Sequence, residues 1–319
     1  MGTYVAGVDL GGTHVSAGVM DGNGRLLSRV FREIRLEESA SSILVEIIGA
    51  LNEAVAQATI PLSSLMGAGI GLPGNLDSEK GLCRFSPNLD WHDVQIRGPI
   101  QEALQRPVFI MNDVRSATLG EFHFGAGKGL RHFVCLAIGT GIGGGIIANG
   151  ELVLGGSESA GEIGHITIYP DGPQCNCGNR GCLESLAAGP GIARRAREAL
   201  AKGCASTMNA KVTSPDEITA RVVAEAAKEG DLPALEIMRE TGIILGIGLS
   251  NVITTVNPQR IAIGGRVALA GELLLEPARE EVRRRARMVP ENFTEIVPAA
   301  LGEDAGLIGA ATLALLKCR

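Results

Sequence analysis

The 319-residue sequence has few aromatic side chains, one Trp, two Tyr and seven Phe, so its core has to be aliphatic. It has no surplus of basic charge either: 29 Lys and Arg stand against 35 Asp and Glu, for a net charge of −6. Affinity for phosphate backbones comes from clustered Lys and Arg, so this balance argues against a general nucleic-acid binder or a protein of anionic membrane surfaces. The one basic run, residues 283–287, follows an acidic stretch and is expected to be a solvated helix face. No stretch of about 18 apolar residues is free of charge, and no basic-then-apolar leader precedes Thr3. The expectation is a cytoplasmic protein with no membrane partner. A helix-turn-helix module ahead of the first strand is also missing, which removes the usual tool for reading DNA. So is G-x-x-x-x-G-K-[ST], which excludes a P-loop nucleotide site. Cysteines number only seven.

Glycine, by contrast, is abundant at 44 residues, clustered at the ends of apolar runs where backbone can approach a ligand. Residues 3–34 alternate β-branched or apolar runs with glycine turns, and "DGNG" at 21–24 marks a hairpin, so three antiparallel strands are expected. Residues 39–58 carry apolar side chains at helical spacing. Residues 65–77 read as a strand running into a turn, and 107–113 as a strand ending on Asn112 and Asp113. From 132 the layout of the N-terminus recurs: a shift of 127 residues superposes Gly12 on Gly139, Thr13 on Thr140 and Gly18 on Gly145, which suggests two similarly built halves. Residues 213–231 read as one helix with Ser214 as N-cap, Pro215 at the first position and Glu217 closing a capping box. A long buried helix is expected over 232–257, with Gly242, Gly246 and Gly248 on one face, and an apolar helix over 303–317. Strands alternating with helices and ending in glycine turns give an α/β architecture with ligands at the strand ends.

Three glycine turns follow three strands: "DLGGT" at 9–13, "GTG" at 139–141 and Gly264–Gly265. Such turns expose N–H groups to an anion, Thr13 and Thr140 add hydroxyls, and Asp9 is placed to hold a hydrated magnesium. Together they fit a nucleotide better than three unrelated turns. Asp113, at a strand end, has two readings on local sequence, a base for an attacking hydroxyl or part of an Asx cap for the helix beginning at 114. His165, Cys175, Cys177 and Cys182 form H-x9-C-x-C-x4-C, with Gly178 and Gly181 supplying tight turns. Three thiolates and one imidazole suit a closed tetrahedral structural zinc better than a C-x-x-C redox pair or a four-cysteine iron–sulfur site.

"DLGGT", the "ND" pair at 112–113, "GTGIGGG", "EIGH" at 162–165, "CNCGNRGCLE" at 175–184 and "NPQRIAIGG" occur in that order. They resemble the ROK family of bacterial sugar kinases, repressors and open reading frames over nearly the whole chain, and its glucokinase branch most of all. The resemblance implies a two-lobed, actin-like (ribonuclease H-like) ATPase fold with a sugar in the cleft. The lobes would be residues 1–113 with 303–319, and 114–302 carrying the zinc loop. It implies an ATP-dependent hexose kinase making glucose 6-phosphate from glucose, with N-acetylmannosamine, mannose or fructose as alternative substrates, or a non-catalytic sugar-sensing regulator. Asp113 would be the general base. Asn88, Asn112, Glu162, His165 and Glu184 would hold sugar hydroxyls. Mg-ATP would lie against Asp9, Gly11, Gly12, Thr13, Thr140 and Gly141, with Gly264 and Gly265 near the adenosine. The family often has a third glycine at 266, where this chain has Arg266, expected to face solvent. A homodimer or larger assembly follows from the likeness alone.

Overall fold

In the computed structural model, which describes residues 3–35 and 39–319, the chain divides into two units. The first comprises Met1–Gly129, Leu152–Ala160 and Ala300–Arg319, the second Leu130–Glu151 and Gly161–Ala299.

The first unit opens with β1 (Tyr4–Leu10), β2 (His14–Asp21) and β3 (Leu26–Glu33), then α1 (Ala40–Gln57), β4 (Leu65–Leu72), β5 (Asn75–Asp77), β6 (Leu82–Ser86), β7 (Trp91–Gln95), α2 (Arg97–Leu104), β8 (Val108–Asn112) and α3 (Asp113–Phe124). The "DGNG" hairpin forms as expected: the Asp21 carboxylate accepts from the N–H groups of Asn23 (2.9 Å) and Arg25 (3.0 Å). Five strands make one sheet in the order β3-β2-β1-β4-β8, antiparallel among the first three and parallel from β1 through β4 to β8. A second, three-stranded sheet of β5, β6 and β7, which the sequence does not announce, carries the turn holding Asn88.

The second unit runs β9 (Phe133–Ile138), β10 (Ile142–Ala148), β11 (Glu151–Leu152), α4 (Leu183–Ala187), α5 (Gly189–Ala201), α6 (Ala220–Lys228), α7 (Leu232–Val256), β12 (Arg260–Gly264), α8 (Glu272–Arg285) and β13 (Glu295–Pro298). Its sheet order, β11-β10-β9-β12-β13, repeats that of the first unit, with β9 and β10 antiparallel and β9, β12 and β13 parallel. The internal repeat is therefore a repeat of topology. The turn is one residue shorter in the second copy: Leu10 pairs with Val15, whereas Ile138 pairs with Ile142.

The chain then returns to the first unit as α9 (Ala305–Lys317), which packs on β1, β4 and α3. Glycines permit this close seating: a Cβ at Gly69 would run into the Ala310 carbonyl, and one at Gly309 into the Ser116 carbonyl. Each unit has its own aliphatic core. Few aromatic side chains are buried among the described residues, Trp91 and Phe122 in the first unit and Phe133 in the second.

Three expectations need correction. The span 213–231 is not one helix: Ser214 caps only a short 3-10 turn, buried Ile218 is extended, and α6 starts after a second cap, Thr219. Glu217 is held chiefly by Thr213, whose N–H donates to it at 2.9 Å, and to a lesser degree by the Ser214 backbone. In α7, Gly242 and Gly246 do face α8, but Gly248, two residues on, faces Leu183 instead. Finally, α3 belongs to the first unit rather than opening the second, because it packs along α9. The basic run at 283–287 behaves as expected, ending α8 with Arg283 on Glu276 (3.1 Å) and Arg284 on Glu281 (2.7 Å).

Candidate functional site

In the first unit, parallel pairing of β1, β4 and β8 brings the ends of three strands together. Asp9 lies level with Gly71, and Leu72 with Asn112. The Asp9 carboxylate lies against the first turn of α9, where a Cβ on Gly306 would stand 2.5 Å from its Oδ2. Burial first, and the neighbouring charge of Asp113 second, push the Asp9 carboxyl up to about 7. Two carboxylates, one from β1 and one from the start of α3, thus share one electrostatic environment, which is how active sites set acids and bases apart.

At Asn112 and Asp113 the capping reading holds, with Asn112 as the capping residue and Asp113 opening the helix. Asn112 is the N-cap of α3, its Oδ1 accepting from the N–H groups of Val114 (3.1 Å) and Arg115 (3.2 Å). Its Nδ2 reaches the Gly74 carbonyl only at 3.5 Å. Capping therefore orients the amide and leaves its donor end weakly engaged. Asp113 is the first helical residue, with Oδ1 accepting from Val114 N–H at 2.9 Å. The glycine turn between β1 and β2 is fastened by Gly11 N–H to the His14 carbonyl (2.9 Å) and leaves Thr13 exposed. Exposed Asn88 lies beside it, with its carbonyl near Gly12. Asp9, Gly11, Gly12, Thr13, Asn88, Asn112 and Asp113 all lie in the first unit.

In the second unit the turn at Gly139–Gly141 is closed by Gly139 N–H on the Gly141 carbonyl (2.9 Å) and tied to the start of α5 by Gly189 N–H on the Gly139 carbonyl (2.8 Å). Gly265 packs on Ile138 at the end of β9, too closely for a side chain, which brings Gly264 and Gly265 beside the same turn. Arg266 is exposed, as expected. The sequence reading passed over the N-terminus of α5; its signal was the "GPG" at 189–191, a proline where a first turn tolerates one.

Glu184 links this turn to the cysteine cluster. Its Oε2 accepts from Ile142 N–H (2.9 Å) and lies beside Gly141, while its Oε1 is 3.6 Å from the Cys175 sulfur. His165 ends a 3-10 turn, Ile163–His165, that is opened by exposed Glu162, and turns Nδ1 to Cys175 at 3.8 Å. Cys177 and Cys182 are 3.8 Å apart. Gly178 and Gly181 take the left-handed conformations their turns require, with φ of 92° and 65°. One ligand atom from each of His165, Cys175, Cys177 and Cys182 lies within 4.8 Å of all the others. A tetrahedron with sulfur ligands at about 2.3 Å has edges of about 3.8 Å, so the four donors fit zinc. Burial pushes the Cys175 thiol up to about 12, so deprotonating it calls for a cation. A cavity of about 810 Å³ in the second unit, between α8 and β13 with Arg279, Arg283 and Phe293 in its lining, contains none of the expected site residues.

No helix among the described residues is long and apolar enough to cross a membrane. A family model described as "ROK family" matches residues 5–317. The chain is 38% identical over 308 residues to a glucokinase of Thermotoga maritima, covering 96% of both sequences. Among solved structures it is similar to a ROK hexokinase from Thermus thermophilus (TM-score 0.84, 34% identity, 98% of each chain). A ROK family glucokinase from Streptomyces griseus, in complex with glucose and AMPPNP, is similar at a TM-score of 0.79 and 35% identity, over 97% of this chain and 98% of that one.

Proposed function

Because the chain belongs to the ROK family, we propose that it is an ATP-dependent hexose kinase acting on glucose, giving glucose 6-phosphate and ADP. The observation that carries this reading is the Asp9–Asp113 pair, one carboxylate at the end of β1 and one where β8 runs into α3, with β4 between those strands and the charge of Asp113 acting on Asp9. Phosphoryl transfer to an alcohol needs one carboxylate to take the hydroxyl proton and another to accompany the cation on the triphosphate.

Asp113 takes the first role. Val114 N–H fixes its carboxylate, and the proton leaves the attacking hydroxyl for it as the new bond to phosphorus forms. Asp9 takes the second; magnesium held there supplies the charge that screens the phosphates. The N–H groups and hydroxyls of Gly11, Gly12, Thr13, Thr140 and Gly141 bind the phosphates, and Gly264 and Gly265 admit the adenosine. Asn88, the Nδ2 of Asn112, Glu162, His165 and Glu184 bind sugar hydroxyls. His165, Cys175, Cys177 and Cys182 would hold a zinc; with Nδ1 the nitrogen turned toward Cys175, Nε2 would be left to meet the sugar. A sugar with one misplaced hydroxyl leaves one of these groups unpaired, a penalty of about 1 to 3 kcal/mol.

The deciding experiment is a coupled ATP-consumption assay over glucose, N-acetylmannosamine, mannose and fructose. Glucose is expected to give the highest kcat/KM; a different leader renames the substrate, and sugar binding with no ATP consumption at all replaces the kinase by a sugar-sensing regulator. On the same reading the protein works in the cytoplasm, as a homodimer or larger assembly, and sedimentation showing only monomer removes the last point.

A further inference from the structure

The segment Leu152–Ala160 is built into the first unit although the chain on both sides of it belongs to the second. Three contacts of different kinds fasten it there. The Glu158 carboxylate accepts from Ser78, from Oγ at 2.8 Å and from the backbone N–H at 3.3 Å. Buried Arg115 donates through Nε to the Ala160 carbonyl at 3.1 Å. Asn75 Nδ2 stands 3.5 Å from the Ser159 hydroxyl. Leu154 and Glu158 line a cavity of about 260 Å³ together with Ser78, Asn112 and Arg115, so the segment adjoins the wall that carries Asn112.

Glu158 has a left-handed backbone, φ 55°. That conformation suits glycine and asparagine and disfavours glutamate, whose long side chain gives the backbone no local compensation. The turn around Glu158 is closed by Ala160 N–H on the Leu154 carbonyl (2.9 Å), and the pair of bonds to Ser78 fastens the Glu158 side chain outside that turn. Ser78 is itself presented by a stiff turn: Asp77 accepts from Lys80 N–H (3.0 Å) and from Arg84 (2.8 Å), and Arg97 bonds the carbonyls of Ser78 (3.3 Å) and Glu79 (2.6 Å). Only Gly161 separates the fastened Ala160 from Glu162, and His165 follows three residues later. A misplaced sugar-binding group is costly in binding, so the anchor of the segment that delivers it bears on the sugar.

We infer that the Ser78–Glu158 pair is a positioning device for sugar binding, a latch that sets the 152–160 segment and through it the presentation of Glu162 and His165. The inference rests on the kinase reading above. It assigns to Ser78 and Glu158 an effect on the glucose KM and none on the chemical step, since their bonds to each other fasten the 152–160 segment.

The test combines steady-state kinetics with hydrogen exchange on the intact chain. S78A and E158A are each expected to raise the glucose KM about tenfold, with kcat within about twofold of wild type, as for loss of hydrogen bonds to a charged group. The double variant should be no worse than either single one. E158Q, which keeps an acceptor for the Ser78 N–H and gains a donor for its hydroxyl, should restore most of the affinity. E158G separates the two roles of the residue: it relieves the backbone, yet the KM should stay raised, because the side-chain bonds are what matter. A normal KM in E158G, additive effects in the double variant, or a loss confined to kcat would each overturn the latch. Exchange in the 152–161 peptides without sugar should be faster in S78A than in wild type, and equal rates would also overturn it. That arm does not depend on the substrate, so a wild-type protein that ignores glucose while S78A still exchanges faster would remove the kinase reading and keep the latch.

Discussion

The carboxylate of Glu121, on α3, accepts a 2.7 Å hydrogen bond from the backbone N–H of Leu301, 180 residues further along the chain. It also accepts from the N–H groups of Ala126 (2.8 Å) and Ala300 (3.1 Å), and its side chain is wholly buried. One acid therefore ties down both the stretch that leaves the first unit near Gly129 and the stretch that re-enters at Ala300. Removing it takes a shared acceptor away from three part-buried backbone donors. Glu121→Gln, which keeps an acceptor but turns an NH2 toward one donor, should cost about 1 to 3 kcal/mol, and Glu121→Ala about 3 kcal/mol or more. Chemical denaturation of the purified variants measures both.

Asp113→Asn keeps the size of the side chain and an acceptor for Val114 N–H, so the protein should fold as wild type does. Its kcat should fall by about 10²- to 10⁴-fold, the usual contribution of a positioned base, with a glucose KM near normal. A folded variant with near-normal turnover would move the base elsewhere.

Metal analysis of the purified chain should give about one zinc per protomer. Cys175 touches both His165 and Glu184, so Cys175→Ser should raise the glucose KM on the order of tenfold, as disturbing the support of a metal-held group commonly does. Mild chelation should weaken glucose binding before the melting curve moves. Unfolding that precedes the loss of affinity would make the zinc a fold staple and nothing more.

Asp77 gives a pH signature. Bonding by Lys80 N–H first, and by Arg84 next, holds its carboxyl below the ordinary 3.8. A depressed carboxylate contributes stability that is present above the unfolded value and lost as pH falls through the folded one. Asp77→Asn should therefore be less stable than wild type at pH 7, and the gap should close as pH drops below 3.8. A gap that widens in acid would contradict this sign. Because Asp77 also stiffens the turn that presents Ser78, its loss should raise the glucose KM at neutral pH.

Much of this was legible in the sequence because the signals were local. The hairpin at Asp21 and the glycine turns after β1, β9 and β12 each depend on residues within a few positions. So does the spacing of His165 and the three cysteines, which the fold draws into one cluster. What stayed hidden depends on distance. Nothing near Glu121 in sequence announces that its partners lie 180 residues on, and nothing near Ser78 announces Glu158. The three strands β5, β6 and β7 are short and polar on one face, with too little periodicity to read. The single helix expected over 213–231 failed for the opposite reason: its capping signs are real, but they serve a 3-10 turn, and the burial of Ile218 outweighs helix propensity there.

The seating of α9 among β1, β4 and α3 has a consequence for how the molecule is made. Residues 305–317 leave the ribosome after the whole of the second unit, yet they complete the packing of the first, where Ile308, Ala311, Ala314 and Leu315 close over Val5 and Met20. The N-terminal half is thus born first and finished last. While the second unit emerges, the apolar side of the first sheet waits uncovered, a period in which it is open to chaperones or to its own kind. The glycines that let α9 lie so close do not only shape the finished core; they leave a slot that a late-arriving helix can enter.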